Sequence, residues 1–87
     1  MTIDEINRLT IEGLVAEIFN RTGHNIQYLD QGFLWKKYLK NNWQLMFVDV
    51  ENEGEKWAMI KLDPDIGFWA DNPGEIILKA VLWELTQ

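Results

Sequence analysis

The residues able to do chemistry in this chain are carboxylates, and they are concentrated. Asp49, Glu51, Glu53, Glu55, Asp63, Asp65, Asp71 and Glu75 stand between residues 49 and 75 against only Lys56 and Lys61. That stretch holds the whole net charge of -6, because the residues before it and after it each sum to zero. Paired carboxylates can work as general acid and base, but neither spacing nor neighbours single out a pair. Asp63-x-Asp65 with Asp71 resembles the start of a calcium loop. Counting from Asp63, however, the sixth position is Phe68 rather than Gly and the twelfth is Gly74 rather than Glu, so the coordination scheme fails.

Composition removes the other classes of site. His24 is the only histidine and there is no cysteine, which excludes a His/Cys metal site, a Ser-His-Asp triad and a Cys-His dyad within one chain. The glycines form no phosphate-cradling motif. Lys36, Lys37 and Lys40, near Trp35 and Tyr38, read as a solvated helix face, since three bases on a chain of net charge -6 attract phosphate poorly. The expectation is a protein that is not an enzyme, with no metal, no cofactor and no direct contact with nucleic acid.

Binding to another protein remains. Along an extended chain Asp49 and Glu51 point the same way about 6.8 Å apart, half as dense as the charge along a DNA strand, one per roughly 3.4 Å. That is too sparse for a DNA mimic, but it suits an acidic knob entering a basic cleft on a nucleic-acid-binding protein. The same charges would keep a hairpin tip soluble and guarded against edge pairing. The candidate partner-binding residues are Asp49, Glu51, Glu53, Glu55, Asp63, Asp65 and Trp69. Trp69 must face away from its neighbour Phe68, and one of that pair, or Trp35, is the candidate aromatic anchor.

The elements that would position these residues centre on a hairpin. Trp43-Gln44-Leu45-Met46-Phe47-Val48 and Trp57-Ala58-Met59-Ile60-Lys61-Leu62 are apolar on both alternating faces, so something must cover each face. Ahead of them, Thr2 and Glu5 have capping-box spacing for a short opening turn. A helix from about Thr10 to Arg21 has Ile11, Leu14, Val15, Ile18 and Phe19 on one face and Gly23 as its stop. A third helical stretch, Gln31 to Lys40, follows Asp30 as cap and ends at Asn41-Asn42. After the hairpin come a turn at Asp63-Pro64-Asp65, a short strand Ile66 to Ala70, and a helix from about Pro73 to Leu85 announced by Asn72, Pro73 and Glu75. That last helix is apolar over most of its circumference: it is buried on more than one side, or it presents an interface through Ile77, Val81 and Trp83.

These elements make one α+β domain over residues 1–87, in the order α-α-β-β-β-α. The economical layering packs the three-stranded antiparallel sheet between helices, an α-β-α sandwich; the alternative puts every helix on one face and a partner subunit on the other. Small size makes a homodimer a live expectation. The N-terminus has no basic region followed by an apolar run, and no apolar stretch reaches membrane-spanning length. The expected address is cytoplasmic.

The helix Leu14-Val15-Ala16-Glu17, the segment Tyr28-Leu29-Asp30 with Trp35 five residues after Asp30, the Trp-rich hairpin, and Ala70-Asp71-Asn72-Pro73 leading into Lys79-Ala80-Val81-Leu82 together resemble the phage ABA sandwich domain of small prophage proteins. The resemblance covers nearly the whole chain. It implies a phage or mobile-element origin, hence a bacterial host, and carries no catalytic set. The resulting expectation is an anti-CRISPR-like protein that inhibits a host defence protein by binding its basic nucleic-acid channel. The alternative is a structural or accessory phage protein that self-assembles through its apolar C-terminal helix.

Overall fold

The layering of this chain follows from one helix that has no wet side. The computed structural model describes residues 1–26, 31–40, 42–62 and 65–87. In chain order its elements are α1 (Ile3–Asn7), α2 (Ile11–Thr22), α3 (Gln31–Leu34) running into a π-helical segment (Trp35–Leu39), β1 (Trp43–Val50), β2 (Gly54–Leu62), β3 (Asp65–Ala70) and α4 (Pro73–Leu85). The α+β class, the three-stranded antiparallel sheet and the order of helices and strands are those the sequence predicts. The Tyr28-Leu29 segment, Asp30 as cap, Asn41 as stop, the Asp63-Pro64 turn and Asp63 as a binding residue lie outside the described residues.

Local signals set the helix ends. The Thr2 hydroxyl accepts from the Glu5 N–H at 3.2 Å while Glu5 Oε1 accepts from the Thr2 N–H at 2.9 Å, a reciprocal capping box. The bond from the Thr2 backbone, followed by that from its hydroxyl, holds the Glu5 carboxyl below the usual carboxylate range. Thr10 caps α2 through the Gly13 N–H at 3.1 Å. Gly23 closes that helix with φ 77° and an N–H donated to the Phe19 carbonyl at 2.8 Å. Asn72 caps α4 by accepting from the Gly74 N–H at 2.7 Å, with Pro73 as the first helical residue.

The third helical stretch departs from a plain α-helix. Beyond Leu34 it widens to a π turn, in which the Lys40 N–H reaches back five residues to the Trp35 carbonyl at 2.8 Å. The Trp35 indole N–H donates to the Lys40 carbonyl at 2.9 Å. This closes the segment with Lys40 at φ 55°, an unusual conformation for a residue with a side chain.

In α4 every residue from Ile76 to Trp83 is buried. One side lies on β2 and β3; the other is covered by α1, α2, α3 and the π-helical segment. Of the two layerings open to the sequence, the structure has the helices on one face of the sheet, with α4 as the middle layer. Even Lys79 is only 6% exposed, its ammonium 3.6 Å from Glu75 one turn earlier. Fully burying one Leu, Ile or Val side chain stabilises by about 1.5–3 kcal/mol, and α4 contributes more of the buried apolar core than any other described element.

The sheet is a meander in the order β1-β2-β3. Its register is unbroken from Trp43 opposite Lys61 to Val50 opposite Gly54, and from Trp57 opposite Ala70 to Leu62 opposite Asp65. Trp43, Met59, Ile66 and Phe68 share the helix-facing side and are buried. A polar latch ties this side to α4. Glu84 Oε1 accepts from the Trp43 indole at 2.8 Å and from Lys61 Nζ at 2.5 Å. The Lys61 ammonium also sits 5.1 Å from the Trp83 ring and 5.8 Å from the Trp43 ring, within cation–π range. Trp43 stacks on Phe68 with ring centres 6.2 Å apart.

Candidate protein-binding site

Strand alternation and helix coverage together decide which side chains are left for a partner. On the helix side, cover fails along β1: Trp43 is 3% exposed, Leu45 38% and Phe47 55%. Phe47 rests on Trp57, its cross-strand partner, with ring centres 5.0 Å apart. The far end of the hairpin therefore projects beyond the helices, and the molecule is elongated at 37 × 25 × 25 Å.

At that end the turn closes with the Glu53 N–H donated to the Val50 carbonyl at 3.0 Å. Asn52 and Gly54 both take positive φ, 68° and 80°, conformations that Asn and Gly accept most readily. Asp49, Glu51, Glu53 and Glu55 are all exposed there, and among the described residues none of them is in an ion pair. The register places Asp49 directly opposite Glu55. Like charges opposed across a strand pair work against the hairpin. This is a locally unfavourable arrangement of the kind expected where a surface serves something other than folding.

The candidate residues split into three places. Asp49, Glu51, Glu53 and Glu55 gather at the tip. Asp65 is exposed but stands opposite Leu62, seven residues along β2 from Glu55, about 23 Å away at strand rise. Trp69 lies on the face turned away from the helices, 52% exposed, while its neighbour Phe68 points into the core at 1%. Trp35, the third anchor candidate, is only half-buried, its indole committed to the Lys40 carbonyl.

Trp69 is part of an apolar surface that spacing alone did not reveal as open. Its ring lies over Gly67, where a Cβ would stand 3.6 Å from the indole and 4.0 Å from Ile60. Met46 and Trp69 flank Ala58 as its cross-strand partners and leave it 1% exposed. This open face is bounded by an ion pair in which Lys56 Nζ meets Asp71 Oδ1 at 2.6 Å. The hydrogen bond to Asp71 holds the Lys56 ammonium above its ordinary range.

The residues expected to self-associate are placed otherwise. Ile77 is 6% exposed, Val81 0% and Trp83 8%, all inside the core of a single chain. Of the two readings of the apolar helix, burial on more than one side is the one realised.

Lys36, Lys37 and Lys40 are exposed, as a solvated face requires, and Lys37 reaches over the Phe33 and Tyr38 rings at 5.5 and 5.7 Å. A further apolar groove of about 610 Å³ runs along α2 between Ile11, Val15, Phe19 and Ile26. Among the described residues no group of three or more His, Asp or Glu is placed to hold a metal ion, and no helix is long and apolar enough to cross a membrane. Comparison with known proteins finds no family model, no curated protein and no solved structure that matches this chain.

Proposed function

We propose that this protein acts by stoichiometric binding, presenting the acidic hairpin tip to a basic surface on another protein. In the fuller form of the proposal that surface is the nucleic-acid channel of a host defence protein, blocked in the manner of an anti-CRISPR, and the chain is of phage or mobile-element origin. One observation carries the reading. Asp49, Glu51, Glu53 and Glu55 are exposed on a projecting hairpin, without ion pairs among the described residues, and two of them oppose each other at a cost to folding. Unneutralised charge held on a rigid element accelerates and orients docking onto the opposite charge.

The test uses the tip alone. Wild type and a Glu53→Lys/Glu55→Lys variant are immobilised and challenged with host lysate at low and high salt, then with competitor DNA. The proposal expects a host protein that wild type retains at low salt, releases at high salt and yields to DNA, and that the variant does not retain. Retention by both forms alike, or none by wild type at low salt, overturns it.

A further inference from the structure

The first strand is an edge without the usual protection. Among the described residues β1 has a strand neighbour on one side only, so its outer backbone N–H and C=O groups form an open row. Over its eight residues there is no Pro, no Lys and no bulge, and its pairing register with β2 never breaks. Apolar side chains emerge on both of its faces: Leu45 and Phe47 on the helix side at 38% and 55% exposure, Met46 at 36% on the other. The opposite edge, β3, is shorter, at six residues, and carries an acid at each end, Asp65 and Asp71, whereas β1 carries its acids at the turn end alone. An apolar edge of this kind invites a strand of the same kind.

The charges at the two ends of β1 say which strand. Its C-terminal end runs into Asp49 and Glu51; its N-terminal end follows Lys36 and Lys40. All four side chains are exposed and none is in an ion pair among the described residues. A strand acidic at one end and basic at the other complements a copy of itself running antiparallel.

We infer that β1 pairs antiparallel with β1 of a second copy across a two-fold axis, joining two sheets into one of six strands. Side chains directly opposed across antiparallel strands share a face, so odd positions must meet odd positions. Centring the axis at Met46 sets Leu45 of each copy opposite Phe47 of the other and Gln44 opposite Val48. Asp49 of each copy then falls opposite Trp43 of the other, so the acidic end of one β1 lies toward the other's N-terminal lead, where Lys40 stands three positions before Trp43. Isologous interfaces have this self-complementary form. Glu53 and Glu55 stay off the seam, Glu55 being one strand further in. The dimer thus keeps Glu53 and Glu55 of each copy free at opposite ends of the sheet while Asp49 and Glu51 turn toward the seam, and its test, the oligomeric mass, can fail without touching the reading of Glu53 and Glu55.

The test is a charge exchange read by size-exclusion chromatography with light scattering at low salt. Wild type is expected at twice the 10.3 kDa chain mass. One variant carries Lys36→Glu and Lys40→Glu, the other Asp49→Lys and Glu51→Lys. Each alone opposes like charges at both ends of the seam and should weaken self-association by about tenfold or more. Mixed together, they oppose unlike charges at both ends and should form a heterodimer. Phe47→Lys, at an exposed position, places a charge on the edge itself and should give monomer with an unchanged circular dichroism spectrum. A monomeric wild type, variants that each dimerise like wild type, or a mixture that stays monomeric would overturn the inference.

Discussion

Glu84→Ala should destabilise this protein more than a typical change at a half-buried helix position. The Glu84 carboxylate serves two groups that have little access to water, the Trp43 indole on a residue 3% exposed and the Lys61 ammonium on a side chain 14% exposed. Removing it orphans the indole N–H, at about 1–3 kcal/mol for a buried unsatisfied donor. It also leaves the ammonium between two indole rings without its counter-ion. Breaking a fully buried ion pair costs about 3–5 kcal/mol, but Glu84 itself is 21% exposed, so water enters and the pair counts for about 1–2 kcal/mol. The sum is about 3 kcal/mol, against a total near 4–13 kcal/mol for a domain of this size. For a domain of this length the midpoint should fall by about 12–24 °C. Glu84→Gln keeps an acceptor for Trp43 and should lose roughly half as much. Urea denaturation followed by tryptophan fluorescence measures both. A cycle with Lys61→Met isolates the pair, because the methionine needs no counter-ion and the Glu84→Gln cost should shrink beside it. A Glu84→Ala cost below about 1 kcal/mol, or no coupling in the cycle, would refute the latch.

Other perturbations read separate parts of the structure. Asn72→Ala removes the acceptor for the Gly74 N–H at the start of α4 and should cost about 1 kcal/mol in the same urea assay. Leu82→Ala, at a position 0% exposed, should cost about 2–5 kcal/mol and lower the thermal midpoint without changing the oligomeric mass. Gly54→Ala, at φ 80°, should cost about 1–2 kcal/mol through backbone strain at the tip, measured by thermal unfolding. Glu5 has a carboxyl held below its usual range when folded. Its stabilising contribution is therefore present above the unfolded carboxylate range and lost as pH falls through the folded value. The stability difference between wild type and Glu5→Gln should accordingly be present near neutral pH and vanish in acid, as read by thermal scans across that range.

What was legible in the sequence was local. Thr2, Thr10, Gly23 and Asn72 each marked a helix end because a cap is a contact between near neighbours. Period-two runs located the strands, although the pairing extends further toward the turn than the runs Trp43–Val48 and Trp57–Leu62, since Asp49 and Glu55 pair despite their charges. Period two also separated Phe68 from Trp69, without saying which faces inward. That depends on where α4 lies, and α4 lies there because it is apolar all round. The same reasoning took two apolar sheet faces to mean two covered faces; the structure covers one, and Met46 and Trp69 shelter Ala58 on the other. The bonds of Trp43 and Lys61 to Glu84 join residues 41 and 23 positions apart, distances over which no local pattern carries information. Of the candidate site, the tip acids were legible as a charge cluster. The unprotected edge was not, because edges exist only once strand order is known.

The middle position of α4 bears on how the chain reaches this structure. It follows every other element in chain order, yet it is the surface on which both the sheet and the N-terminal helices find their apolar cover. As the chain emerges from the ribosome, α1, α2 and the hairpin have no common core to collapse onto until residues 73–85 are made. Because the described helices and the sheet meet chiefly through α4, joining them requires long-range contacts of the kind that slow folding, and unfolding is expected to be close to all-or-none. Until then Leu45, Phe47, Trp57 and the rest of the hairpin's apolar surface stay open together, which is the interval in which a nascent chain of this design is most exposed to misassembly.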